Sequence, residues 1–373
     1  MKKLFLIAGE ISGDDHGSAL LEALPTGEFS LLGLGGPKMH ALSPDIENWL
    51  GDAAVLGLWE VLKKYGYFKA KMEETVARIQ SEKPDGIVMI DYPGFNLRLA
   101  DRLRKEGFQG KLIYYISPQV WAWKKGRVKE MARLLDLMIC IFPFEKDLYE
   151  SSGLKTVFCG HPLIDSLEPV RKLSIDRELR VVALLPGSRE REVETLFPPM
   201  LDAAEILVSQ HPELKFVTSG ATPVLTERLV SMVKERSLAT RIEVFSSAGH
   251  EIMRRAGVGV VASGTATLEA AILRLPYVLT YKVAWLTAVA ARRVLKIRFL
   301  GIVNVIAGRE VVKELLQEQC RGETIAAELN ELLENGGARA RLVSDLKEVT
   351  ESLGGGGAHK NAADAVVSAM ADA

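Results

Sequence analysis

Short apolar runs rich in β-branched residues recur along the chain. Each stops at glycine, proline or a polar residue, and longer stretches with apolar residues at helical spacing lie between them. That alternation predicts parallel strands buried on both faces and joined by crossover helices. In the first half the strand candidates are 4–8, 31–36, 87–90, 112–116, 137–141 and 157–159. The charged stretch 168–179, interrupted by Pro169, reads as a linker, after which the pattern restarts with 181–185, 214–219, 242–245, 258–262 and 276–281. Helical patterns cover 18–24, 55–68, 73–80, 190–210, 266–273, 283–299, 314–333, 339–353 and 361–370. The expected fold class is therefore α/β, with two Rossmann-like parallel-sheet lobes over 1–167 and 168–345. A helical tail, 346–373, is expected to pack back on the first lobe.

The stretch around 258–269 organises the second half. Residues 258–262 are small or β-branched, Ser263-Gly264-Thr265 breaks the run, and helical composition follows from Ala266. Gly264 admits a sharp turn, and Ser263 and Thr265 are natural N-caps. A strand that delivers a helix N-terminus to the carboxyl edge of a parallel sheet offers N–H groups and the helix dipole to an anion, pyrophosphate above all. Glu269, one turn into that helix, either accepts hydrogen bonds from a diol such as a ribose or complements the helix dipole. Pro186-Gly187-Ser188-Arg189 makes a similar turn after 181–185. Gly187 permits close backbone approach, Ser188 can cap, and Arg189 can fork onto a phosphate or pair with Glu190 or Glu194. The G-x-x-x-x-G-K pattern of a P-loop is absent.

In the first half, Gly9-Glu10-Ile11-Ser12-Gly13-Asp14-Asp15-His16-Gly17 follows the first strand. The spacing is not that of a dinucleotide fingerprint, and it offers Glu10, Asp14 and His16 as acid–base candidates. His16 reads either as a base or as a loop histidine satisfied by nearby carbonyls. Residues 87–90 deliver Asp91 to the sheet edge among Ile90, Tyr92 and Phe95, surroundings that raise a carboxyl pKa and suit a general base. The alternative is a cap for the helix that begins near Leu97.

Val55, Leu58, Trp59, Leu62 and Tyr65 recur at helical spacing beside Lys63, Lys64, Lys69 and Lys71. Such a helix is either a core element or a docking surface for acyl chains and anionic headgroups. Residues 283–299 form a second basic, amphipathic stretch, and Trp121 and Trp123 precede Lys124, Lys125 and Arg127.

Composition narrows the classes. At 373 residues the chain exceeds what one core usually serves, and a net charge of −1 argues against a global electrostatic grip on nucleic acid. Three widely spaced cysteines, Cys140, Cys159 and Cys320, suit a reducing compartment and offer no metal cage. The run 4–8 stops at Gly9-Glu10, too short for a signal peptide's apolar core, and no segment approaches the roughly 20 apolar residues of a membrane span. A cytoplasmic protein able to lie against a membrane is expected.

Six motifs in order carry a resemblance over nearly the whole chain. They are Gly9-Glu10 with Ser12-Gly13-Asp14; Ile90-Asp91 with Pro93 and Phe95-Asn96; Ser117-Pro118-Gln119-Val120-Trp121-Ala122-Trp123; Leu184-Leu185-Pro186-Gly187-Ser188-Arg189; 262–269; and Ala307-Gly308-Arg309-Glu310. In these the chain resembles the lipid-A-disaccharide synthases, glycosyltransferases of the two-lobed GT-B architecture. The resemblance implies a site in the cleft between the lobes, with the acceptor and its acyl chains on the first lobe and the UDP-sugar on the second. It implies inverting transfer from UDP-2,3-diacylglucosamine to 2,3-diacylglucosamine 1-phosphate. Asp91 is the family-matched base and His16 its rival. Gly94 stands where some members carry a second acid. Glu10, Ser12, Gly13, Asn96, Gly187, Ser188, Arg189, Ser263, Gly264, Thr265, Glu269, Asn304, Arg309 and Glu310 are carried over as substrate-binding residues. With no Asp-x-Asp motif, neither a metal nor another cofactor is expected. The resemblance also implies peripheral attachment to the inner face of the cytoplasmic membrane, gives no nucleic-acid partner and leaves room for a homodimer. Two rival readings are a UDP-sugar 2-epimerase and a non-catalytic UDP-sugar-binding protein.

Overall fold

The computed structural model describes residues 1–50, 58–120, 126–173, 177–236, 238–282 and 298–371, with side chains from residue 66 onward in the helix Leu58–Glu82. The side chains of Val55, Leu58, Trp59, Leu62 and Tyr65, the pair Trp121 and Trp123, and nearly all of 283–299 lie outside the described residues. The chain divides into two compact units, Met1–Asp165 with Gly354–Ala373, and Ser166–Leu353. The second division falls inside the stretch 346–373.

The first unit holds seven parallel strands: β1 (Lys2–Ala8), β2 (Phe29–Gly35), β3 (Ile46–Asn48), β4 (Gly86–Ile90), β5 (Lys111–Tyr115), β6 (Leu137–Cys140) and β7 (Thr156–Phe158). Their order is β3-β2-β1-β4-β5-β6-β7. Successive side chains of a strand point to opposite faces, and here both faces are covered. Phe5, Ile7, Ile87 and Met89 enter one apolar cluster with the helix Pro93–Lys105. Leu4, Leu6, Val88 and Ile90 enter the other with the helix Ile11–Ala23. Strands covered on both sides have no polar face, which is why the sequence shows unbroken apolar runs rather than alternation. The last helix, Ala358–Ala371, lays Ala362, Ala363 and Val366 into that second cluster.

The second unit repeats the plan with β8 (Glu178–Leu185), β9 (Lys215–Gly220), β10 (Ile242–Ser246), β11 (Ala256–Ala262), β12 (Tyr277–Tyr281) and β13 (Glu314–Leu316). The order is β10-β9-β8-β11-β12-β13, all parallel. In each sheet the strand order reverses direction once, between β1 and β4 and between β8 and β11. Such a reversal opens a crevice at the carboxyl ends of the two strands. The half-buried Arg177 guanidinium donates to the carbonyls of Met253 (2.8 Å), Ala256 (2.6 Å) and Leu273 (2.6 Å), tying the start of this unit to two of its helix ends.

One expected element differs. Residues 314–333, read as one helix, begin as β13, pass through a 3-10 turn at Gln317–Gln319 with Gln317 at φ +52°, and become helical only over Gly322–Glu334. The Glu314 carboxylate explains the start. It accepts from the backbone N–H groups of Leu300 and Gly301, both at 2.9 Å, and so draws the chain alongside β12 instead of coiling it.

Candidate active site

In the first unit, Ala8 of β1 pairs with Ile90 of β4, so the residues that leave these strands at the sheet's carboxyl edge are Gly9-Glu10 and Asp91-Tyr92. Asp91 and Tyr92 both adopt left-handed backbone, φ +45° and +49°, which L-residues visit only at a cost of about 1–2 kcal/mol each. Several hydrogen bonds hold this corner. The Asp91 N–H donates to the Tyr115 carbonyl (2.9 Å), and the Asp91 carbonyl accepts from Tyr114 Oη (2.5 Å) and Asn96 Nδ2 (2.7 Å). The Tyr92 ring lies over Gly9, where a Cβ would come within 2.1 Å of it. Burial pushes the Asp91 carboxyl above the usual range, the charge of Glu10 pushes it further, and a backbone hydrogen bond from Tyr92 pulls it partly back. Glu10 and Ser12 are exposed, and Gly13 is buried under Ala8.

Two acid–base candidates have other surroundings. Asp14 is buried, and its carboxylate accepts from the N–H groups of Gly36 (2.9 Å), Lys38 (3.0 Å) and Met39 (3.0 Å), so it caps the helix Pro37–Leu42. His16 lies 5.5 Å from the ring of His359 on the last helix. Burial and the charge of His359 lower its pKa to about 4, against a smaller upward pull from Asp15. Asn96 is wholly buried and reaches the backbone of the corner through Nδ2, so it acts on Asp91 as a positioning residue. Gly94 has open space where a side chain would stand.

In the second unit, Gly187, Ser188, Arg189, Ser263, Gly264, Thr265 and Glu269 line one cavity of about 730 Å³ at the carboxyl edge of the sheet. The helix Thr265–Ile272 has Gly264 as its N-cap, and no side chain caps it. The expected capping by Ser263 and Thr265 is therefore not what the structure holds, and the positive end of the helix opens on the cavity unshielded. The opposite wall differs. Glu192 accepts from the N–H groups of Ser188 (3.0 Å) and Arg189 (3.2 Å) and from the Arg189 guanidinium (3.2 Å), so those two amides already have an acceptor. Gly187 at φ +115° is required there, since a Cβ would come within 2.4 Å of Glu192. The ion partner of Arg189 is thus Glu192, neither Glu190 nor Glu194; Glu194 pairs with Arg228. At 82% exposure the Arg189 side chain still presents its guanidinium to a ligand.

Of the binding residues expected in the second unit, three do not line this cavity. Asn304 is fully buried with all its hydrogen-bonding groups engaged. Oδ1 accepts from Val311 N (2.7 Å) and Val312 N (2.8 Å), and Nδ2 donates to the Val312 carbonyl (2.7 Å) and Glu314 (2.8 Å). It holds the loop before β13. Arg309 forks onto Asp345 and reaches Glu348, and Glu310 faces Lys313 at 3.7 Å. The cavity has a lining residue that the motif reading missed, His250, whose Nε2 lies 3.4 Å from Glu269. Its sequence signal is Gly249-His250 just past a strand, the placement already noted at the other edge loops.

Two parallel-sheet Rossmann-like units, one with a carboxylate at its switch point and the other with an open helix start, a guanidinium and an acid about a nucleotide-sized cavity, define the GT-B class. Solved structures bear out the fold. A UDP-GlcNAc 2-epimerase from Neisseria meningitidis bound to UDP-GlcNAc superposes with a TM-score of 0.61 at 12% identity over 100% of both chains. UGT2 from Phytolacca americana, complexed with UDP-2-fluoro-glucose and pterostilbene, gives 0.60 at 11%, again over 100% of both. Identities so low speak for the fold alone. The family profile described as lipid-A-disaccharide synthetase matches residues 4–367. The lipid-A-disaccharide synthase of Persephonella marina is 38% identical over 98% of each chain, and that of Trichlorobacter lovleyi is 38% identical over 98% of this chain and 97% of its own. The chain belongs to the lipid-A-disaccharide synthase family and is a glycosyltransferase of lipid A biosynthesis.

Proposed function

We propose that the chain transfers 2,3-diacylglucosamine from its UDP carrier to the 6-hydroxyl of 2,3-diacylglucosamine 1-phosphate, with inversion. The hydroxyl oxygen attacks the anomeric carbon, the bond to the diphosphate oxygen breaks, and Asp91 takes the hydroxyl proton. UDP leaves with added negative charge. The helix start at Gly264-Thr265 and the Arg189 guanidinium meet that charge as it develops, which lowers the barrier rather than merely tethering the donor. Glu269 receives the ribose hydroxyls.

The observation that carries this reading is the meeting of Arg189, the uncapped helix start and Glu269 around one cavity. The raised carboxyl of Asp91 supports the base assignment, because a base nearer neutrality accepts a proton more readily. The acyl chains of both sugars favour work at a membrane face, since each buried methylene contributes about 0.8 kcal/mol. No helix among the described residues is long and apolar enough to cross a membrane. The apolar positions Val55, Leu58, Trp59, Leu62 and Tyr65, at helical spacing in the sequence, are the attachment route proposed.

Purified protein incubated with both acylated sugars, with and without chelator, tests the reading. Disaccharide and UDP should form in equal amounts and without a metal requirement. Asp91→Asn should lower turnover by about 10²-fold or more while UDP still binds. Full turnover by that variant would remove Asp91 from the mechanism. Crystals with UDP bound away from both Arg189 and Glu269 would remove the cavity from it.

A further inference from the structure

His250 stands on the helix Gly249–Arg255, which follows β10 at the edge of the second sheet, whereas Glu269 stands on the helix that follows β11. The two side chains meet across the carboxyl edge at 3.4 Å, and both line the cavity of about 730 Å³. With Nε2 turned to Glu269, Nδ1 is left with no bonding partner among the described residues. Glu269 favours the charged ring and raises the His250 pKa above its ordinary value, against a smaller opposing effect of burial. The other charged groups lining the cavity are Arg189, Glu192 and Glu251. Arg189 is already matched by Glu192, so the cavity's own charges leave room for a second cation toward a diphosphate.

Resting on the placement of UDP in this cavity, we infer that His250 is a direct contact for the diphosphate. Its Nε2–H is tied to Glu269 while its Nδ1–H donates to a phosphate oxygen. One carboxylate then serves both ends of the nucleotide: it accepts from the ribose and holds the imidazolium that faces the phosphates. The contact exists only while the ring is protonated, so nucleotide affinity acquires a pH dependence that a guanidinium in the same place would not give.

Titration calorimetry of UDP against the full chain, from about pH 5.5 to about pH 8.5, tests this with His250→Gln and His250→Arg beside the wild type. UDP's own phosphate titration is common to all three proteins and cancels in the comparison. His250→Gln should bind about tenfold more weakly than wild type at the acid end and approach it at the alkaline end, as expected for loss of one charge-assisted hydrogen bond. His250→Arg should stay tight throughout. A His250→Gln curve parallel to wild type at every pH overturns the contact while leaving UDP in the cavity. Absence of UDP binding in all three proteins overturns the cavity assignment and this inference with it.

Discussion

The side-chain amide of Asn96 donates to the main-chain carbonyl of Asp91 at 2.7 Å, from a position with no solvent exposure. It closes the first turn of the helix Pro93–Lys105 back onto the left-handed corner that carries the proposed base. With Tyr114 Oη on the same carbonyl, two buried donors hold a backbone conformation that would otherwise relax.

Asn96→Ala should therefore lower kcat about tenfold to a hundredfold, since misplacement of a base by an ångström is enough for such losses. UDP affinity, which the proposed function assigns to the other unit, should be unchanged. Asn96→Asp should be worse, because it turns a carboxylate toward the carbonyls of Asp91 and Ile90. Equal kcat for the alanine variant and the wild type would show that the corner holds without this bond.

The acid limb of the pH–rate profile follows from the same corner. As the proposed base, Asp91 must be ionised to take a proton, and burial together with the Glu10 charge raises its pKa, so activity should be lost on acidification at a pH above the ordinary carboxylate range. Removing a neighbouring negative charge makes ionisation easier. Glu10→Gln should accordingly move that limb to lower pH, and a pH profile of kcat for the two proteins is the check. A limb that stays in place excludes Glu10 as the group that sets it.

Much of this was legible in the sequence, and the remainder fails for a common reason. Unbroken apolar runs ending in Gly9, Asp91, Gly187 and Ser263 located the strand ends at both switch points, because strands covered on two faces leave no polar positions. What local pattern could not show is a side chain that bonds far along the chain. Asp14 reads as an acid–base candidate until its amide partners 22 to 25 residues away are seen. Glu314 reads as the start of a helix until its partners 13 and 14 residues back are seen. Asn304 and Arg309 sit inside recognisable motifs, yet the first is saturated by its own loop and the second by Asp345 and Glu348. His250 belongs to no motif and owes its place to Glu269, on a helix two connections later.

Asn304→Ala should behave as a stability variant. It leaves the N–H groups of Val311 and Val312 without their acceptor and deprives Glu314 of a donor, a loss of about 2–4 kcal/mol. Asn304→Asp keeps the two accepted bonds but sets a second carboxylate against Glu314, so it should also destabilise. Urea unfolding with an unchanged slope and a lower midpoint is the expected result for both. Midpoints equal to wild type would mean that the loop finds other partners.

Three of the chain's six histidines gather where the last helix meets the first unit, and they make acid the condition that loosens it. His16 and His359 lie with ring centres 5.5 Å apart, and His161 is buried and influenced by His16. Burial lowers all three pKa values, to about 4 for both His16 and His161, and within this group like charge adds to the lowering for those two. The acids nearby, Asp15 for His16 and Asp165 for His359, pull the other way and do not prevail. A histidine whose folded pKa is depressed costs nothing while the unfolded chain is also neutral, above about 6.5. As pH falls from there toward about 4, the unfolded state gains protons that the folded state refuses, so stability drops. For His161 alone the shift corresponds to about 3 kcal/mol. Melting temperature should thus fall between those limits, and His161→Gln should flatten the fall. Hydrogen exchange should open first in Ala358–Ala371, where His359 bonds Tyr115 at 2.9 Å and Asp165 caps the first turn. A melting temperature independent of pH across that window, or exchange that opens elsewhere first, would show that these imidazoles do not hold the helix.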